Sequence, residues 1–398
     1  MDVVRSNIKL FADDTSLYLT VDDPVTAAET MNTDLSEIDI WSKDWLVFFN
    51  NLKTKSMLIS KKRNQIPHPP LVFQDHRLDC VSQHKHLGIT LKSDLKWNDH
   101  ISQIVTKATT QINIMKGLQY RLDRRTLEII YITFIRPILE YGSPLWAGCT
   151  AVDATKLENV QLAAARIISG AMYGTSNAKL YEEMGWVTLS ERRDQAKLVY
   201  MYKIVNNLVP KYLTNIIPET SAAYNTRTLT NLPHFRARTD TFDKSFFPTA
   251  TRLWNQLPIG IRNVDSVSKF KDKIKITVQR PIKHHELVYF GNRYLSVLHT
   301  RLRLGCSQLN AHLFRIGVKD SPNCICSHVN EDAWHFFFVC PLFTTQRNTL
   351  HTSIIDIAPF SLETVLYGSP ICNYAQNVII FQAVHTFIKN TSRFGNIT

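Results

Sequence analysis

The sequence predicts an α+β protein: short β-hairpins in residues 1–95, then a mostly helical remainder carrying a small Cys/His-rich segment near its C-terminus. Three observations predict it. Apolar residues recur every second position around residues 7–21, every third or fourth position in several later stretches, and four metal-ligand residue types crowd into residues 324–340.

In the first hairpin Ile8 and Leu10 alternate with Asn7 and Lys9, and Leu17, Leu19 and Val21 alternate with Tyr18 and Thr20. This is the pattern of half-buried strands, and it places Phe11-Ala12-Asp13-Asp14 at the tip. Met31, Leu35, Ile38 and Trp41 follow at helical spacing, then Trp45-Leu46-Val47-Phe48-Phe49-Asn50 and Lys53-Thr54-Lys55-Ser56. His86-Leu87-Gly88-Ile89 follows, and after it Leu95, Trp97 and His100-Ile101.

The middle of the chain reads as helices. Ile101, Ile104, Val105, Ala108, Ile112, Met115 and Leu118 share one stripe of a helix over 100–118. A second is expected over 126–141, kinked or ended by Pro137, and a third over 153–169 with Asp153 as N-cap and Gly170 as stop. A fourth covers 191–207 and ends before Pro210. The Thr-, Asn- and Arg-rich span 218–240 lacks periodic apolar positions and is expected to be a linker. Phe242, Phe246, Phe247 and Trp254 then announce renewed packing, as core residues, with base stacking the alternative.

Two residue sets suit metal chemistry. Adjacent acids on a tight turn deliver neighbouring carboxylates to one place, as needed to hold two divalent ions about 3.5–4 Å apart for nucleotidyl transfer. Magnesium takes only one or two protein carboxylates beside substrate phosphates. Asp-Asp is also common in turns for purely local reasons, since Asp bonds to nearby backbone. The second set is Cys324, Cys326, His335 and Cys340, spaced C-x-C-x8-H-x4-C, a tetrahedral donor set of the kind zinc prefers, with Ser321-Pro322-Asn323 supplying a turn. Its Cys-x-Cys gap is shorter than usual, and a loop of free cysteines is the alternative. His284-His285-Glu286 offers no convergent partner and reads as surface.

Lysine and arginine total 46 against 34 acids, a formal charge of +12, which favours polyanionic partners. The basic residues cluster at Lys53, Lys55, Lys61, Lys62 and Arg63 and again at Arg121, Arg124 and Arg125. Seven irregularly spaced cysteines and the absence of an apolar leader point to a reducing intracellular setting, nucleus or cytoplasm, rather than secretion. The apolar run near 378–388 is too short to span a membrane. Nucleophile elbows, phosphate-cradling Gly-rich loops and internal repeats are absent, so hydrolase and nucleoside-triphosphatase readings lack support.

The order of landmarks resembles the reverse transcriptases of non-LTR retrotransposons: an aromatic-Ala-Asp-Asp turn, a helix, an Asn-x-x-Lys-Thr segment (Asn50 to Thr54) and a Leu-Gly hairpin. It continues through Pro137-Ile138-Leu139-Glu140-Tyr141-Gly142-Ser143, Leu157-Glu158 with Gln161, Ala164 to Gly170, and Trp254-Asn255-Gln256-Leu257-Pro258. The Cys-Cys-His-Cys cluster preceded by Arg301-Leu302-Arg303-Leu304-Gly305 is of the same kind. The resemblance implies a partial polymerase palm with catalytic turn and primer grip over 1–95 and a thumb-like region over 96–217. A connection region over 241–320, a zinc knuckle over 321–345 and a helical tail over 346–398 would follow. It further implies Asp13 and Asp14 as Mg²⁺ ligands, Lys53 beside the incoming triphosphate, Leu87 and Gly88 positioning the primer, and the zinc cluster binding nucleic acid. An RNA template and a DNA primer are the implied partners. The family's fingers and third metal-binding aspartate lie upstream of the acid turn, where this sequence has twelve residues. The expectation is a truncated catalytic site unable to polymerise alone, with a non-catalytic nucleic-acid-binding remnant as the alternative.

Overall fold

The computed structural model describes residues 4–61, 68–218, 231–275 and 286–395. They fall into two compact units, Met1–Ile101 and Ser102–Thr398.

In the first unit, β1 (Asn7–Phe11) pairs antiparallel with β2 (Asp14–Tyr18), Ile8 facing Leu17 and Phe11 facing Asp14. The two-residue loop is Ala12-Asp13, and Ala12 takes φ 50°, the positive value such tight hairpins require. Helix α1 (Pro24–Asp44) starts where the Asp23 carboxylate accepts the Thr26 N–H at 2.8 Å, with Pro24 in the first turn, where its missing donor costs nothing. Its Leu35 and Ile38 make a small core with Phe73 and Leu78, onto which Ile8 and Leu17 pack. Asp34 on the same helix is fully buried and accepts the N–H groups of Arg5 and Ser6 at 2.9 and 2.7 Å, tying the helix to the entry of β1.

The hairpin is less covered than its alternation suggests. Ile8 and Leu17 pack against that small core, whereas Leu10 and Phe11 are 60% and 64% exposed. Beyond α1 come β3 (Lys55–Ser56), β4 (Val72–Phe73), β5 (His76–Arg77), β6 (Asp79–Cys80), β7 (Gln83–His86) and β8 (Ile89–Lys92). The described strands form four separate two-stranded sheets, β1–β2, β3–β6, β4–β5 and β7–β8.

The second unit is helical, and its first residues belong to α2 (Asn98–Leu118). The expected 126–141 helix is realised as α3 (Arg124–Ile130), a π turn (Tyr131–Ile135) and α4 (Arg136–Glu140), and the short α5 (Ser143–Trp146) follows. Pro137 explains the interruption: it lacks an N–H and crowds the carbonyl four residues back, so the preceding turn widens and Arg136 N–H bonds to Tyr131 O. Helix α6 (Ala151–Ser169) corrects one expectation, because Thr150 is the N-cap, its Oγ1 accepting the Asp153 N–H at 3.2 Å. Gly170 stops it as foreseen, at φ 72°, and a Cβ there would lie 2.5 Å from Val297. After α7 (Asn177–Met184), helix α8 (Leu189–Val205) opens with a reciprocal Thr188–Glu191 capping box.

Residues 219–230 of the expected linker lie outside the described residues, and within its remainder Leu232 is held by the Asn255 amide through two 2.9 Å bonds. The helices Phe246–Gln256 and Val267–Ile274 pack on α8, burying Trp254, Phe270, Met201 and Tyr202 in one cluster. A larger core lies among the helices Arg293–Arg303, Thr344–Ile354, Leu362–Tyr367 and Tyr374–Asn390. Phe336 and Phe337 sit at 0% exposure within it, and Cys324 and Cys340 belong to the same cluster. No described helix is long and apolar enough to cross a membrane.

Candidate metal and nucleic-acid sites

The acid turn places Asp13 in the loop and Asp14 at the start of β2, both exposed. Among the described residues, the one group of three or more His, Cys, Asp or Glu side chains close enough to share an ion is elsewhere, so this pair stands without a third ligand there.

The Asn50–Thr54 segment owes its shape to Asn50, whose Oδ1 and main-chain oxygen both accept the Lys53 N–H at 3.1 Å while its main-chain oxygen also takes the Thr54 N–H and hydroxyl. Asn is suited to this because its side chain mimics a backbone acceptor in a turn. Lys53 projects from it, exposed. Leu87 and Gly88 form the two-residue loop between β7 and β8, with φ 45° and 81°, a primed turn matched to hairpin twist. The acid turn, Lys55 and Leu87-Gly88 thus lie on three different small sheets.

The basic residues divide by environment. Lys55 ion-pairs with Asp79 at 2.6 Å. Lys61, Arg121 and Arg125 are exposed, while Lys62 and Arg63 lie outside the described residues, as do His284 and His285. Arg124 corrects the sequence reading. It is buried and donates to the Glu183 carboxylate at 2.7 Å and the Glu183 carbonyl at 3.0 Å, which removes it from any phosphate-contacting surface. Glu183 also receives Arg303 at 2.9 and 2.7 Å. Burial pushes the Glu183 carboxyl up, but the two guanidiniums outweigh it and bring its pKa down to about 2. Within the Arg-x-Arg-x-Gly segment, Arg301 donates to the Gly170 carbonyl at 2.8 Å, and nearby Arg293 caps the end of α6 through Ile167 and Ile168 at 2.7 Å each. These cations fasten helices together, a role spacing alone did not reveal.

The Cys/His set does assemble. The ligand atoms of Cys324, Cys326, His335 and Cys340 all lie within 4.8 Å of one another. Cys324 Sγ is 3.8 Å from Cys340 Sγ, and Cys326 Sγ is 3.3 Å from His335 Nε2. Tetrahedral zinc, with Zn–S of about 2.3 Å and Zn–N of about 2.0–2.1 Å, requires donor–donor separations of this size. The short Cys-x-Cys gap works because the chain reverses sharply after it: Ser327 adopts φ 72°, its N–H bonds to Cys324 O, and Cys324 N–H returns to His328 O at 2.9 Å each. His335 opens a π turn (His335–Val339), with its N–H on Asp332 Oδ1 at 2.8 Å. Arg347 donates to the main-chain carbonyls of Phe337 and Cys340, fixing the last ligand. Burial pushes the Cys324 thiol up to about 12, a cost that a divalent ion in the centre would offset.

No protein-family model matches the chain. In sequence it is related to RNA-directed DNA polymerases, the enzymes of mobile elements. The relatives are those of non-LTR retrotransposons, all from Drosophila melanogaster. It is 24% identical over 194 residues to the probable RNA-directed DNA polymerase from transposon BS, covering 48% of this chain and 21% of that one. It is 21% identical over 188 residues to that from transposon X-element, covering 46% and 20%. It is 22% identical over 203 residues to the enzyme from mobile element jockey, covering 50% and 22%. The match thus spans about a fifth of the length of these curated relatives.

Proposed function

We propose that this chain is a C-terminal portion of a non-LTR retrotransposon reverse transcriptase, and that it holds nucleic acid without joining nucleotides by itself. The carrying observation is the assembled Cys324–Cys326–His335–Cys340 centre, on a chain whose sequence is related to RNA-directed DNA polymerases.

In this reading Asp13 and Asp14 are the inherited Mg²⁺ ligands of a palm hairpin, Lys53 lies on the triphosphate side, and Leu87-Gly88 contacts the primer. Two exposed carboxylates offer a divalent ion a partial cage, and two-metal transfer needs both ions held in fixed geometry. The pair alone therefore supports weak metal binding rather than catalysis. The Cys₃His centre would hold Zn²⁺ as a structural ion, since all four donors come from protein and no open position remains for a substrate. RNA template and DNA primer are the partners, met through exposed cations such as Lys61, Arg121 and Arg125, in the nucleus or cytoplasm.

The purified chain is expected to retain a labelled RNA–DNA primer-template in a gel-shift assay, with affinity falling as salt rises. Absence of retention at low salt would overturn the binding reading.

A further inference from the structure

Resting on the zinc reading above, we infer that Glu331 and Arg393 are positioning residues for the metal centre, and that Arg393 sets its affinity by neutralising a carboxylate built against Cys324.

Glu331 lies between the second and third ligands in sequence and is 2% exposed. Its Oε1 is 3.8 Å from Cys324 Sγ. Its main chain holds both sides of the ligand turn, the N–H donating to Pro322 O at 2.8 Å and the carbonyl accepting Ala311 N–H at 3.2 Å. Its carboxylate accepts the Asn310 N–H at 2.8 Å. Asn310 in turn donates through Nδ2 to Asn323 O at 2.6 Å, beside the first cysteine. The charge is answered from far along the chain: Arg393 Nε and Nη2 reach the two carboxylate oxygens at 2.6 Å each. The next residue, Phe394, packs on Phe336 with ring centroids 5.4 Å apart, so the arginine is delivered by a docked segment.

Three thiolates around a divalent ion carry one net negative charge. A buried carboxylate beside them repels that charge unless it is paired, and Arg393 supplies a two-pronged cation of fitting geometry. Partners one layer outside a metal's ligands typically change affinity by about 10–100-fold.

The test is zinc affinity of the full chain, measured by competition with a chromophoric chelator, alongside the Co²⁺ absorption spectrum. Arg393→Ala is expected to bind zinc about 10–100-fold more weakly while keeping the tetrahedral Co²⁺ bands, Arg393→Lys to lose less, and the double variant Glu331→Gln/Arg393→Ala to regain affinity relative to Arg393→Ala. Should Arg393→Ala not fold, the double variant must still bind within about tenfold of wild type. Wild-type affinity in Arg393→Ala, or a double variant weaker than the single, overturns this inference. A wild-type chain without stoichiometric zinc overturns the metal reading instead.

Discussion

Arg303 donates both a 2.9 Å and a 2.7 Å hydrogen bond to the carboxylate of Glu183, a residue 120 positions earlier, and Arg124 completes the buried cluster at 2.7 Å. The segment expected to form a thumb and the segment expected to precede a zinc knuckle are joined at this point.

Removing the shared anion leaves two buried guanidiniums facing each other. Glu183→Gln should lower unfolding free energy by about 3–5 kcal/mol in urea denaturation followed by tryptophan fluorescence. A loss under about 1 kcal/mol, the range of exposed ion pairs, would mean the cluster is hydrated in solution.

The same carboxylate gives acid sensitivity at the low end. Its pKa falls from 4.5 to about 2 on folding, so its contribution is complete above pH 4.5 and lost as pH drops toward 2.

Two buried histidines act in a higher window. His299 bonds to Val365 O at 2.8 Å and His385 lies 5.4 Å from it, ring to ring, with Arg303 nearby. Burial is the main reason both pKa values fall, His385 to about 4 from 6.5, so the folded protein binds fewer protons than the unfolded chain. Stability should therefore decline as pH is lowered from 6.5 toward 4, and His385→Phe should flatten that part of a Tm-against-pH curve. An unchanged slope in the variant would place the titration elsewhere.

Zinc removal should be local in effect. Cys324 and Cys340 belong to a core that also contains Phe336, Phe337, Leu350 and Ile380, whose apolar side chains are buried independently of a metal. Chelation or Cys326→Ser is expected to open amide exchange over 321–340 and lower Tm, while most far-UV helical signal survives. Complete loss of helix signal would show that the centre nucleates the whole C-terminal body, as in small zinc fingers.

Among the basic residues, exposure should decide the phenotype. Arg121→Ala and Arg125→Ala are each expected to reduce the log–log salt slope of duplex binding by about 0.9 per lost phosphate contact. Arg124→Ala should instead destabilise the fold and leave the slope of its folded fraction unchanged, because that guanidinium is consumed by Glu183.

Local signals were legible in the sequence wherever a few neighbouring residues determine the outcome. The hairpin tip at Ala12-Asp13, the Gly170 stop and the Cys-Cys-His-Cys spacing all depend on chemistry within a short window, whereas the Leu87-Gly88 turn is expected only from the family resemblance. What escaped notice depends on distant partners. Nothing near Arg124 or Arg303 marks them as internal, because Glu183 is remote in sequence from both. Arg393 is equally silent until the fold brings it to Glu331. Thr150 rather than Asp153 caps α6 because the helix begins a turn earlier, a shift that apolar periodicity resolves poorly.

On the proposed function, the chain is expected to grip a primed strand without extending it. Primer extension on an RNA template with Mg²⁺ and all four deoxynucleotides tests this directly, using the purified chain beside its Asp13→Ala/Asp14→Ala variant. A retained hybrid and an unextended primer are expected with both proteins. Extension by the unaltered chain that the double substitution abolishes would contradict it.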